Sequence, residues 1–184
     1  MSDLKADMPR NTEIKARVPD LDALASRVAP LSTEGPIAIP QDDTFFACPH
    51  GRLKLRDFGD GRGELIFYQR ADQTGPKTSF YRITPTASPD TLREVLTLAH
   101  GQTGRVVKQR TLYLVGRTRV HLDRIEGLGT FMELEVVLRD GEPVEAGEQE
   151  ARTLMQQLGI TSAQLIDRAY VDMMQDTKPE DTRP

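Results

Sequence analysis

The chain has 184 residues, is 38% hydrophobic and 28% charged, and carries a formal net charge of −4 at pH 7. That length suits one domain with a real core, the acidic balance speaks against general nucleic-acid binding, and a single cysteine, Cys48, rules out an intramolecular disulfide or a multi-cysteine zinc site. No run approaches the ~20 apolar residues of a membrane span, and the first ten residues have no apolar signal-peptide core, so a cytoplasmic protein with no membrane partner is expected.

Residues 1–9 and 175–184 are polar, with proline near both ends, and read as flexible tails around one domain at 10–174. A first strand at about 11–18 places Glu13, Lys15 and Arg17 on one face and stops at Pro19. Asp20 then caps a short helix with Leu21, Leu24, Ala25 and Val28 on its apolar side. Pro30, Pro36 and Pro40 predict a loop. From about 42 to 84 the pattern predicts three strands: Asp43 towards Arg56 with a turn at Pro49-His50-Gly51, then Glu64 to Arg70, then Lys77 to Thr84. The run Phe58 to Gly63 reads as a hairpin loop, because it lacks the strand-to-helix context and lysine of a phosphate-binding P-loop. Ser88 as cap, Pro89 in the first turn and Leu92, Val95, Leu96 and Ala99 on one face predict a helix to His100. Strands follow at 105–115, 117–125 and 130–139, turning at Gly116 and Gly127-Leu128-Gly129. A last helix at about 145–158 carries apolar Ala151, Leu154, Met155 and Leu158 and ends at Gly159.

What unites the strands is charge at every second position. Lys54 and Arg56 repeat the pattern of Glu13 and Lys15, as do Lys108 and Arg110, then Arg119, His121 and Asp123, and finally Glu133 and Glu135. The fold expected is α+β, an antiparallel eight-stranded closed barrel with a polar interior and a few flanking helices; an open sheet with one solvated face is the competing arrangement. Cations converging in a poorly solvated interior repel one another unless an anion offsets them. A chain of phosphates suits the arginine fork. The carboxylates beside them are hard oxygen donors of the kind Mg²⁺ or Mn²⁺ takes, or else neutralise the cations in salt bridges. His121 shares the charged face and could carry a proton near neutral pH. Tyr170 either covers the mouth of the barrel or packs, His50 and His100 face solvent, and Cys48 is a small apolar residue near a bend.

Asn11 to Arg17, Gly75-Pro76-Lys77-Thr78-Ser79, Val107 to Arg110, His121 to Gly129 and Met132-Glu133-Leu134-Glu135 together resemble the CYTH family, which groups class IV adenylyl cyclases, thiamine triphosphatases and inorganic triphosphatases. The resemblance runs from about residue 10 to Met174 and implies a triphosphate tunnel. It implies Glu13, Asp123, Glu133 and Glu135 as metal ligands for Mg²⁺ or Mn²⁺. Phosphate would be held by Lys15, Lys54, Arg56, Lys77, Lys108, Arg110 and Arg119, with Glu13, Lys15, Glu133 and Glu135 at the catalytic centre. Asn11 stands where the family's Glu-x-Glu-x-Lys motif has its first glutamate, so one carboxylate charge is missing there. That variant and the Gly-Pro-Lys-Thr-Ser segment point to the cyclase branch, with ATP as substrate and cyclic AMP and pyrophosphate as products. Hydrolysis of tripolyphosphate, thiamine triphosphate or a nucleotide is the nearest alternative. A non-catalytic polyphosphate- or nucleotide-binding module is the alternative of another class. Paired edge strands would allow a homodimer.

Overall fold

A computed structural model describes residues 8–70 and 74–176. Most of both expected tails lies outside the described residues. Eight strands form a closed antiparallel barrel: β1 (Arg10–Arg17), β2 (Glu34–Phe46), β3 (Arg52–Asp57), β4 (Gly63–Arg70), β5 (Lys77–Thr86), β6 (Gln102–Val115), β7 (Thr118–Ile125) and β8 (Gly129–Val137). Around the ring the order is β1, β5, β4, β3, β2, β6, β7, β8, and closure comes from β1, which pairs with both β5 and β8. The helices among the described residues are α1 (Leu21–Val28), α2 (Pro89–His100), α3 (Val144–Gln157) and α4 (Tyr170–Asp176).

The largest part of the apolar core lies outside the barrel, while a smaller cluster of Phe45, Val106, Ile125 and Phe131 fills its capped end beneath Ala169, Tyr170 and Val171. Ile14 and Ala16 of β1, Val120 and Leu122 of β7, and Met132, Leu134 and Val136 of β8 all point outward. There they pack against Leu21, Leu24 and Val28 of α1 and Ala151, Leu154 and Met155 of α3. On the other side Leu96 of α2 covers Phe46 and Leu55. Alternation therefore sends the apolar half of these strands to the helices and the charged half to the interior.

Three local expectations are corrected. The segment with Pro36 and Pro40 is not a loop, since β2 begins at Glu34 and pairs with β6 along its length. It pairs with β3 only from Asp42 onward, so its earlier half has one free edge, and a register shift between Glu34 and Ile37 absorbs Pro36; edges and bulges are where a missing N–H is tolerated. The stretch from Asp43 to Arg56 is two strands, β2 and β3, so four strands rather than three lie between α1 and α2. On α2, Leu96 is buried, but Val95 and Leu98 are exposed, and Ser88 makes no side-chain cap. Asp20 does cap α1, its carboxylate accepting from the N–H groups of Asp22 and Ala23.

Helix α4 was not legible in the sequence, and it decides the shape of the interior. After α3 the chain bridges Ala16 through Leu165 and crosses one end of the barrel. Arg52 grips Asp172 with both arms, at 2.9 and 2.7 Å. A Cβ on Gly104 would lie 2.3 Å from Val171, so only glycine lets α4 sit this close to β6.

Candidate active site inside the barrel

Residues of all eight strands, with Ala169 and Tyr170 from the capping segment, enclose a cavity of about 330 Å³. Its wall carries seven lysines and arginines (Lys15, Lys54, Arg56, Arg70, Lys108, Arg110 and Arg119) against five carboxylates (Glu13, Asp43, Glu64, Glu133 and Glu135). The cations are in excess, so the interior attracts anions although the whole chain is acidic.

Two chemical regions face each other. Acidic residues gather on β1 and β8, where register puts Glu13 opposite Glu135 and Lys15 opposite Glu133. Lys15 Nζ lies 3.0 Å from Glu133 and also 3.8 Å from the centre of the Tyr170 ring. Glu13 pairs with Arg70, and Glu135 lies 3.4 Å from Arg119 and 3.2 Å from His121 Nε2. Like charges directly across a strand pair are destabilising unless a cation joins them. The cations doing so here are Lys15, Arg70 and Arg119.

Opposite, β2, β3 and β6 form the basic region. Lys54 Nζ donates to Asp43 at 2.7 Å, and Arg56 clasps the same carboxylate at 2.8 and 3.0 Å. Lys108 lies 3.9 Å from it. Between the regions Arg110 donates to both oxygens of Asp123, at 2.7 and 2.6 Å, and to Glu133 at 2.6 Å.

Burial reshapes the titration of these groups. It pushes Asp43 up, but Arg56, Lys54 and Lys108 outweigh it and hold the carboxyl well below its ordinary range. Glu133 is likewise held well below, burial being overcome by Lys15 and Arg110. Burial and Arg110 lower His121, which is therefore neutral at neutral pH. Burial pushes Glu135 up, but His121 and Arg110 outweigh it and hold the carboxyl below its ordinary range. Burial, reinforced by Arg56, brings Lys54 down to about 7; burial and Arg110 bring Lys108 down to about 8.

A stability prediction follows from the two lysines. Between about pH 7 and the ordinary lysine range the unfolded chain holds protons that folded Lys54 and Lys108 have released, so stability rises with pH. The urea midpoint of the protein alone should be higher at pH 9 than at pH 7. A flat or falling midpoint across that window would contradict the burial of both ammonium groups.

Of the expected site residues, Glu13, Lys15, Lys54, Arg56, Lys108, Arg110, Arg119, Glu133 and Glu135 all line the one cavity. Lys77 and Asp123 do not. Both have inward parity but sit at the capped end, where Lys77 donates to the Asp167 carbonyl at 2.9 Å and Asp123 lies fully buried behind Arg110. Tyr170 packs on Phe131, lines the cavity, and donates from its hydroxyl to Asp123 at 3.3 Å. Sequence reasoning missed Gln41, Asp43, Glu64, Tyr68 and Arg70. Their signal was present in the alternation Gln41-Asp43-Phe45 and Glu64-Ile66-Tyr68-Arg70, but Pro40 hid the first and apolar neighbours diluted the second.

No group of three or more His, Cys, Asp or Glu among the described residues forms a ready-made metal cage. The donor set still suits a hard divalent ion: Glu13, Glu133 and Glu135 are adjacent carboxylates facing one cavity, to which a ligand's phosphate oxygens could add. Asp123, already engaged by both arms of Arg110, fits that role less well than that of fixing the arginine.

Comparison with known proteins agrees with this architecture. The CYTH domain model matches residues 9–170. Adenylate cyclase CyaB of Aeromonas hydrophila is 28% identical over 166 residues, which cover 86% of this chain and 85% of that protein. A structure from Pyrococcus horikoshii superposes with a TM-score of 0.78 at 20% identity, covering 88% of this chain and 98% of that one. One from Hippeastrum, for which a dominant triphosphatase activity is described, superposes with a TM-score of 0.61 at 18% identity, covering 92% and 97%.

Proposed function

The chain belongs to the CYTH domain family, and from that premise we propose that it is a divalent-metal-dependent enzyme acting on a triphosphate, converting ATP to cyclic AMP and pyrophosphate. The observation that carries this reading is the division of one cavity. A basic region of Lys54, Arg56, Lys108 and Arg110 faces carboxylates Glu13, Glu133 and Glu135, and Ile39, Phe58, Tyr81, Ile83 and Leu112 supply apolar wall for an organic group.

In this reading the phosphate chain lies on the basic region. Arg56 and Arg110 offer planar forks to phosphate oxygens, while Lys54 and Lys108 act as point charges. The ribose 3′-oxygen attacks the α-phosphorus as its proton passes to solvent, the bond to the β-phosphate oxygen breaks, and pyrophosphate leaves with its growing charge offset by those cations. Glu13, Glu133 and Glu135 would hold Mg²⁺ or Mn²⁺, which would supply Lewis acidity to the attacking hydroxyl and to the phosphate charge. Asp123 keeps Arg110 aimed inward. Lys15, held between Glu133 and Tyr170, sits where it can touch both the carboxylates and a phosphate.

Hydrolysis in the same cavity is the second reading. It is favoured by the modest volume of about 330 Å³, at the small end for organic ligands, and by the activity described for the Hippeastrum relative. Incubation with ATP, and separately with tripolyphosphate, in Mg²⁺ or Mn²⁺ from neutral to alkaline pH distinguishes the two. Cyclic AMP with pyrophosphate is the expected product. Orthophosphate without cyclic nucleotide would select hydrolysis, and no product with either substrate would leave a binding module.

A further inference from the structure

Asp43 is the carboxylate that Lys54 and Arg56 share in the basic half of the cavity, and it is 1% exposed. Its oxygens take a lysine and both arms of an arginine, with a second lysine at 3.9 Å. This is how a bound phosphate would be met, so Asp43 acts as a built-in stand-in for one. We propose that Asp43 is a positioning residue that aligns Lys54, Arg56 and Lys108 as one cluster for a polyphosphate and offsets their mutual repulsion. The proposal rests on the reading that the cavity binds such a ligand.

For Lys54 the surroundings supply no second carboxylate, whereas Lys108 is also raised by Asp123 of β7. From β3 come Lys54 and Arg56, and from β6 Lys108 and Arg110, all cationic; from β4 come Glu64, whose influence falls on Arg56, and Tyr68, itself pushed out of the titrating range by burial. Arg93 of α2 reaches Thr44 and Asp57 on the outer side of the same strands. Tyr170 offers Lys108 a ring face at 5.5 Å. Without Asp43, three cations would face one another in a poorly solvated wall, and the lysines, unlike the arginine, can respond by losing protons.

Lys54 titrates near 7 and Lys108 near 8 with Asp43 in place, and Asp43 raises both. Removing that charge lowers both further, so at pH 7 polyphosphate must recruit more protons than it does with the unsubstituted protein.

The test is calorimetric binding of inorganic tripolyphosphate at pH 7 in buffers of different ionisation enthalpy, which counts protons taken up. The ligand's own proton exchange cancels between proteins. Asp43→Asn is expected to take up about one more proton than the unsubstituted protein, and its affinity should fall more steeply as pH rises from 6 to 8.5. Adding Lys54→Arg to Asp43→Asn should reduce that excess and flatten the pH dependence, because arginine cannot release its proton. Equal proton uptake by the unsubstituted and Asp43→Asn proteins, both folded by circular dichroism, would overturn the role of Asp43 alone. No tripolyphosphate binding by the unsubstituted protein would overturn the underlying reading with it.

Discussion

Replacing Glu135 by glutamine is expected to lower kcat with ATP roughly 10²- to 10³-fold while KM changes less than tenfold. The substitution keeps the shape of the side chain and removes only its charge. Glu135 is directly opposite Glu13 across the β1–β8 pair and within 3.4 Å of both Arg119 and His121. It belongs to the carboxylate side of the cavity, away from the Lys54–Arg56–Lys108 cluster that would hold phosphate, which is why turnover should suffer more than binding. Folding should survive, because a neutral amide costs less to bury than a carboxylate. Steady-state kinetics in Mg²⁺ and in Mn²⁺, with a melting curve, checks both halves. A folded variant with near-normal kcat would remove Glu135 from the catalytic centre.

Arg110→Ala is expected to cost about 3–5 kcal/mol of stability, because removing one partner of a buried ion pair strands the charge of the other. Here it strands two: Asp123, fully buried, loses its bidentate partner, and Glu133 loses one of its two nearby cations. Arg119→Ala makes the contrast. Its guanidinium is 39% exposed and only 3.4 Å from Glu135, so the loss should stay within about 1 kcal/mol. Urea unfolding measures both. The double variant Arg110→Met with Asp123→Leu should recover much of the lost stability, since an apolar replacement of a buried pair is often neutral or better. Activity should not return with it if Arg110 also holds phosphate. Restored activity in that double variant would make Arg110 purely structural.

Much of this molecule could be read from residue order. The alternation of charge in Glu13-Ile14-Lys15, Lys54-Leu55-Arg56 and Glu133-Leu134-Glu135 placed those groups on one side of their strands, and the barrel turns that side inward. Asp20 marked the start of α1, and Gly159, at φ 67°, ends the α3 turn as expected of a residue free to adopt it. Pro40 misled because proline opposes strand structure only where its missing N–H is needed, and which edge of β2 lacks a partner is a property of the whole sheet.

What residue order determined, then, is parity: which side chains share a face, a two-residue repeat set locally by the pleat. What only the tertiary structure decided is position along and across the barrel. Lys77 and Asp123 share inward parity with their neighbours yet end beside the capping segment rather than in the cavity. Asp43 meets Lys54 and Arg56, and Arg110 meets Asp123, because β2 pairs with β3 and β6 with β7 in those registers. Register and stagger are fixed by ring closure and by the helices covering the outer face, interactions between residues far apart in sequence that no local pattern encodes.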